Sequence, residues 1–157
     1  MTDHDQICFI IYEDTKCTLT WVDATSSGVP STKFIASTST TNQNQRFCIA
    51  TWEGSETPGT VSTAGCTFAW RGVVQNQTSF KILDGTGFTW TTHTGNTNNN
   101  VPLDSFQAGN DQTGTLYLGR CIKNKVTYLG KIGDKFYYAN NNKENIDCDT
   151  HDILICK

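Results

Sequence analysis

The reading turns on residues 101–132, VPLDSFQAGNDQTGTLYLGRCIKNKVTYLGKI. Its Val101-Pro102 entry is extended, because a proline drives the residue before it out of the helical region. The run Gly109-Asn110-Asp111-Gln112-Thr113-Gly114 has turn chemistry, since glycine supplies left-handed backbone and Asn and Asp bond their own chain. Leu116-Tyr117-Leu118 then alternates with the two-residue period of a strand, and a second strand pattern runs to Gly130-Lys131. Strand, turn and strand are predicted, with Asp111 and Lys131 on turns.

Outward from this stretch the chain keeps the same grammar. Short apolar or alternating runs such as Cys17 to Val22, Phe47 to Trp52 and Thr67 to Trp70 are separated by Gly, Asn, Asp and Pro. The segment Thr57-Pro58-Gly59 is predicted as a turn. Nowhere do apolar residues hold a helical period for three turns. An all-β protein is predicted, and its 157 residues suit one domain with a core of its own.

The net charge of −3 offers no basic field for phosphate backbones or anionic lipid, so nucleic acid is not an expected partner. No segment is long and apolar enough for membrane insertion. The opening MTDHDQICFIIY places acids where a secretory leader carries cations. The expected location is therefore the cytoplasm, or release by an unconventional route. There are seven cysteines, an odd count, and no Cys-x-x-Cys. Most are expected to be small buried strand residues, with one or two disulfides as the second reading.

The two halves of the chain share an order. Leu19-Thr20-Trp21 answers to Phe88-Thr89-Trp90, Val29-Pro30 to Val101-Pro102, Phe47 to Tyr117, and Pro58-Gly59 to Leu129-Gly130. Phe68 and Trp70 are matched with Phe136 and Tyr138, and Ile82-Leu83 with Ile153-Leu154. An internal duplication follows, with repeats at about 13–83 and 84–157. A strand at 7–12 is expected to close the sheet beside an edge otherwise left open. Trp21 and Trp90, equivalent in both repeats, are expected in the core, and Trp52 is the tryptophan expected at the surface.

The order Trp, Val-Pro, Gly-x-Asp, Gly-Arg, Gly-Lys, aromatic strand, Lys-Glu and closing Ile-Leu resembles the DM-nine repeat family, also found in natterin-like proteins. The match lies mainly over 88–157, on Ala108-Gly109-Asn110-Asp111, Leu116-Tyr117-Leu118-Gly119-Arg120, Gly130-Lys131 and Lys143-Glu144. The resemblance implies two tandem repeats closed into one pseudo-symmetric β-sandwich-like domain. It also implies a mannose-binding lectin of the molluscan tandem type, acting in innate recognition as a homodimer on mannose-type glycans of microbial or cell surfaces.

What it implies for the site is Asp111 and Lys131, with Asn110 beside them and Glu144 to orient the lysine. Tyr128 or Tyr138 would cover an apolar sugar face. Carboxylate and ammonium together suit adjacent sugar hydroxyls, which both donate and accept. In the first repeat Thr60 and about Ser39 replace the pair, so one sugar site per chain is expected. The bland alternative makes Asp111 a turn residue and Lys131 a solvated charge or half of a surface ion pair.

Other candidates are weaker. The run Asp147-Cys148-Asp149-Thr150-His151-Asp152 lacks the glycine and distal glutamate of a calcium loop. No metal or other cofactor is expected. His93 lies in a polar run and is expected to be solvated. Arg120 is read as structural or at the rim. No catalytic motif appears, so no enzyme is expected, and the alternative to a lectin is a protein-interaction module of the same fold that has lost sugar binding.

Overall fold

The computed structural model describes residues 17–38, 44–94 and 100–157. The expected strand at 7–12, and Ser39, lie outside the described residues. What is described is all-β, with no helix among those residues. The first half runs β1 (Thr18–Thr25), β2 (Ser37–Thr38), β3 (Asn44–Gln45), β4 (Phe47–Trp52), β5 (Ser55–Ser62), β6 (Gly65–Trp70), β7 (Val73–Gln77) and β8 (Ser79–Thr86). The second runs β9 (Phe88–Thr94), β10 (Gly109–Asp111), β11 (Gly114–Lys123), β12 (Val126–Ile132), β13 (Phe136–Asn140), β14 (Lys143–Asn145) and β15 (Thr150–Cys156).

Each half lays its strands down in the same spatial order, β1-β8-β4-β5-β6-β7 and β9-β15-β11-β12-β13-β14. They join where Lys143 on β14 faces Val73 on β7, and again where Asn110 on β10 faces Glu56 on β5. Since β10 also pairs with β11, the strands β5, β6, β7, β14, β13, β12, β11 and β10 form a closed antiparallel ring. Closure leaves those strands without a free edge. The sandwich-like layers thus meet as a barrel, with β4, β8 and β1 extending from one side and β15 and β9 from the other.

The register repeats as well. Trp21 faces Leu83 as Trp90 faces Leu154. Cys48 faces Ile82 and Gly59 as Gly119 faces Ile153 and Gly130. Two sequence matches shift in this frame. Phe47 faces Thr60 and Leu118 faces Lys131, so Leu118, not Tyr117, occupies the place of Phe47. Thr60 faces Thr67 and Lys131 faces Tyr137, so Phe68 corresponds to Tyr138 and Trp70 to Asn140. Matching aromatic to aromatic slid β13 by two residues, because pairing and not residue type sets the register.

Four hairpins turn on residue pairs with left-handed backbone: Glu53-Gly54, Arg71-Gly72, Asn124-Lys125 and Asn141-Asn142. Two-residue turns of this kind match the right-handed twist of the strands they join. Thr57, Pro58 and Gly59, expected as a turn, instead lie inside β5, and Lys131 lies inside β12. A Cβ on Gly59 would sit 2.2 Å from the Thr67 carbonyl oxygen, and one on Gly130 2.2 Å from that of Tyr137. These glycines are there for close strand approach, not for turning.

Three apolar clusters fill the molecule. Phe68, Phe80 and Ile82 sit at the centre of the first, and Ile132, Phe136 and Ile153 at the centre of the third. The middle cluster takes both members of each matched set: Phe47 with Leu118, Leu83 with Leu154, Trp21 with Trp90, Phe34 with Phe106. Trp52, expected at the surface, is half-buried against the first cluster, its ring 5.4 Å from that of Phe68.

The cysteines overturn the expectation. Six of them form three disulfides, Cys17–Cys156, Cys48–Cys66 and Cys121–Cys148, with Cα separations of 5.1, 5.8 and 6.4 Å, all within bridging range. Burial in strands and bridging are compatible, and sequence spacing could not say which cysteines face each other across a sheet. Cys17–Cys156 spans 139 residues and ties β1 to the end of β15. Long-loop bridges of this kind stabilise by about 2–5 kcal/mol.

Two outcomes follow. Unfolding without reductant should expose at most one titratable thiol of the seven, and three or more would show that at least one of the three bridges is absent from the native protein. A fragment covering residues 1–84 should show no cooperative melt, because it lacks Leu118, Leu154, Trp90 and Phe106 from the middle cluster. A sharply melting, soluble fragment would show that the shared core is dispensable.

Candidate functional site

The strand β12 is buried from Leu129 through Ile132, so Lys131 does not reach solvent as a strand-end charge would. It is 4% exposed, inside the ring. Its Nζ donates to Thr57 Oγ1 at 3.0 Å and to the Ala69 carbonyl oxygen at 2.8 Å, both in the first half. The ammonium also lies 5.3 Å from the centroid of the Trp70 ring and 5.9 Å from that of Tyr137. Burial lowers its pKa from the ordinary lysine value, while the charges of Asp111 and Glu144 pull the other way. It therefore gives up its proton at a lower pH than an exposed lysine.

Asp111 ends β10, at the turn where it was expected. Its Oδ1 accepts from the Thr113 backbone N–H at 2.7 Å and from the Thr113 hydroxyl at 2.6 Å. This local turn fixes the carboxylate before any ligand arrives. Glu144, on β14, accepts from the Gly72 N–H at 3.1 Å, while its own N–H donates to the Gly72 carbonyl at 3.2 Å. The carboxylate expected to orient Lys131 instead holds the Arg71-Gly72 turn of the opposite half, and acts on Lys131 through its charge.

Asp111, Lys131 and Glu144 line one cavity of about 160 Å³, together with Trp70, Arg71, Gln112, Thr113 and Tyr137. Trp70 donates its indole N–H to Glu53 at 3.0 Å, and Arg71 lies over the Trp70 ring at 5.4 Å. Arg71 holds left-handed backbone at φ 48°, as its two-residue hairpin turn requires, and this sets where its side chain leaves the turn. Tyr137 donates its hydroxyl to Asp134 at 2.7 Å, and burial, followed by that bond, raises its pKa.

The other expected site residues lie elsewhere. Asn110 is exposed on β10 in the bridge to Glu56, next to Asp111 but not in the cavity wall. Tyr138 is buried; its ring packs 4.8 Å from that of Tyr128, and its hydroxyl donates to Asp147 at 2.6 Å. Alternation along β13 explains the swap: Tyr137 and Tyr138 point to opposite faces, and the cavity takes the first. Trp70 and Arg71 carried no site signal in sequence, since only ring closure brings their hairpin to β14. Arg71-Gly72, following the strand at 67–70, was the available clue.

Arg120 packs on Trp90 with its guanidinium carbon 4.4 Å from the ring centroid, and pairs with Asp152 at 2.8 Å. It is away from the cavity. His93 is not solvated: it is 4% exposed, with Nδ1 2.8 Å from His151 Nε2 and Nε2 3.0 Å from the Asn100 carbonyl oxygen. Burial lowers the pKa of His151; the Cys148 carbonyl opposes this, and His93 adds to it. Within the acidic run at 147–152, Asp147 contacts Tyr138 and Lys123, Cys148 is in a disulfide and Asp152 pairs with Arg120, while Asp149 is exposed. Among the described residues no group of three His, Cys, Asp or Glu could hold a metal ion.

No protein-family model matches the chain, and no curated protein matches it. Among solved structures it is similar to the crystal structure of the nematode sperm cell motility protein MFP2B, with a TM-score of 0.58 at 15% identity. The match covers 90% of this chain and 45% of that one, so the chain spans less than half the length of its structural neighbour. At this identity the likeness is one of fold.

Burial changes what a lysine substitution does. On sequence grounds Lys131→Thr is an exposed change costing under about 1 kcal/mol. In the ring it strands the Thr57 hydroxyl and the Ala69 carbonyl, and each unmet buried group costs about 1–3 kcal/mol. Loss of the desolvated charge offsets part of this. A net loss of about 2 kcal/mol is expected in urea denaturation, and a variant as stable as the parent would show that the two bonds contribute nothing to folding.

Proposed function

We propose that this chain is a carbohydrate-binding lectin that recognises mannose or mannose-containing glycans on microbial or cell surfaces, in innate recognition, and that it is not an enzyme. The observation that carries the reading is the meeting of the Asp111 carboxylate and the Lys131 ammonium in one small cavity walled by Tyr137 and Trp70. An ammonium has three protons, and Thr57 and Ala69 take two, so one remains for a sugar oxygen. Thr113 occupies Oδ1 of Asp111 and leaves Oδ2 to accept hydroxyl protons. The volume suits one ring, and the polar exchange with water limits a single site to about millimolar affinity, roughly −4 kcal/mol.

So weak a site acts through multiplicity, which supports a homodimer or larger assembly as the working form. The three disulfides weigh toward release into an oxidising compartment over permanent residence in the cytoplasm. A second reading, a protein-interaction module that no longer binds sugar, draws on the burial of Lys131, whose two bonds into the other half suffice to explain its presence.

Asp111→Asn separates the two. The amide oxygen can still accept from Thr113, so the turn survives and stability should stay within about 1 kcal/mol. Retention on immobilised mannan should weaken about tenfold or more, the effect of losing a charged hydrogen-bond acceptor. A wild-type protein that binds nothing on a glycan array would leave the interaction-module reading in place. A variant that binds like the wild type would remove Asp111 from the site.

A further inference from the structure

A second cavity, of about 220 Å³, lies at the position related to the first by exchange of the two halves. Where the first has the cross-strand pair Lys131 and Tyr137, the second has Thr60 and Thr67. Where Lys131 reaches to Thr57 and Ala69, Thr60 shares its cavity with their counterparts, Tyr128 and Ala139. Gln45 and Thr127 complete the polar wall, and no charged residue lines it among the described residues.

Its polar groups fall into two sets. Thr67 donates its hydroxyl to Asn76 at 2.6 Å and so accepts from Ser62 at 2.6 Å, and both hydroxyl protons are spent within the wall. Gln45 donates its amide N–H to the Thr127 carbonyl at 3.4 Å, and its Oε1 is buried from solvent with no hydrogen-bond partner among the described residues. Thr60 and Tyr128 are half-buried at the wall, where their hydroxyls are open to a partner from the cavity.

We propose that this cavity is a second binding site, for a neutral hydroxylated ring such as an uncharged monosaccharide unit. The absence of lining charge disfavours an ionic ligand, which would give up its hydration for no counter-charge. A hydroxylated ring can donate to or accept from the half-buried hydroxyls of Thr60 and Tyr128 at the cavity wall. Its apolar face can lie on the Tyr128 ring. The chain would then hold two sites of different chemistry on one rigid barrel, one charged and one neutral, and would be bivalent without dimerisation. This inference stands on the second cavity alone and does not require the first to bind sugar.

The test is two-dimensional amide NMR of the full-length protein, titrated separately with methyl α-mannoside and methyl β-glucoside to 100 mM, about a hundred times a millimolar constant. At least one glycoside should shift the amides of Thr60, Thr67 and Thr127. Those shifts should persist in Asp111→Asn, which disables only the first cavity. Thr60→Val replaces one hydroxyl by a methyl group and Tyr128→Phe deletes one, both with little change of shape, and each should weaken the response at this cavity about fivefold, the loss of one neutral hydrogen bond. Should Thr60→Val fail to fold, Tyr128→Phe carries the same reading. No shift at these residues with either glycoside overturns the proposal. So does a response that vanishes in Asp111→Asn, or one that both hydroxyl deletions leave unchanged.

Discussion

The ammonium of Lys131 inside the ring is the constraint on which the rest of the structure depends. Removing an ammonium from water costs several kcal/mol unless close partners replace the hydration. Here the replacements come from separate strands: Thr57 from β5, Ala69 from β6, the ring of Trp70 from β6 and that of Tyr137 from β13. Since the lysine belongs to the second half and its two hydrogen-bond acceptors to the first, the charge is tolerable only when the halves are correctly aligned. The alignment that satisfies the ammonium also brings Trp70 and Arg71 to Asp111 and Glu144. Fold and cavity are one arrangement seen from two sides.

The seams between the halves are narrow, a single bridged pair at β7 and β14 and another at β10 and β5. So few ladder bonds could not hold two independent units in register. Side chains supply what the ladders lack. Glu144 grips the Gly72 N–H across the first seam, and the middle apolar cluster draws matched residues from both halves. Cys17–Cys156 then fastens the start of the outermost strand β1 to the end of β15, the strand next to the opposite edge. The first and third clusters are more nearly private to each half, so each half is organised within itself but finished only by the other.

Much of this was legible in the chain before any coordinates. Alternation and turn residues carried the all-β class, and the order of Trp, Val-Pro, Gly and Ile-Leu carried the doubled register, because these are local patterns with fixed periods. What stayed hidden depends on pairing between distant segments. The disulfides required knowing which strands adjoin, and Cys48 meets Cys66 only across β4, β5 and β6. Lys131 after a glycine looked like a turn charge, since the same Gly-Lys pair suits a hairpin end. Only the close approach of the Tyr137 carbonyl to Gly130 reveals a strand. Asp111 was readable because its turn is built from neighbours, Gln112 and Thr113. Tyr137 was missed in favour of Tyr138 because adjacent strand residues differ only in which face they present, and sequence does not say which face is the cavity.

The asymmetry between the halves follows from the same electrostatics. In the pairing of β13 with β14, Ala139 faces Glu144, and in that of β6 with β7, Ala69 faces Val74. The first half thus has valine where the second has a carboxylate. Across the ring, Thr60 shares its cavity with Tyr128 of the second half, where Lys131 finds the Thr57 hydroxyl of the first. A lysine at position 60 would be buried without Glu144's charge or the hydroxyl that Lys131 uses, and an uncompensated buried cation costs more than a strand pair can return. Threonine at 60 is therefore the residue compatible with the rest of its surroundings. Charge and counter-charge are present together at one cavity and absent together from the described lining of the other, as expected for groups that are tolerable inside a barrel only as a set.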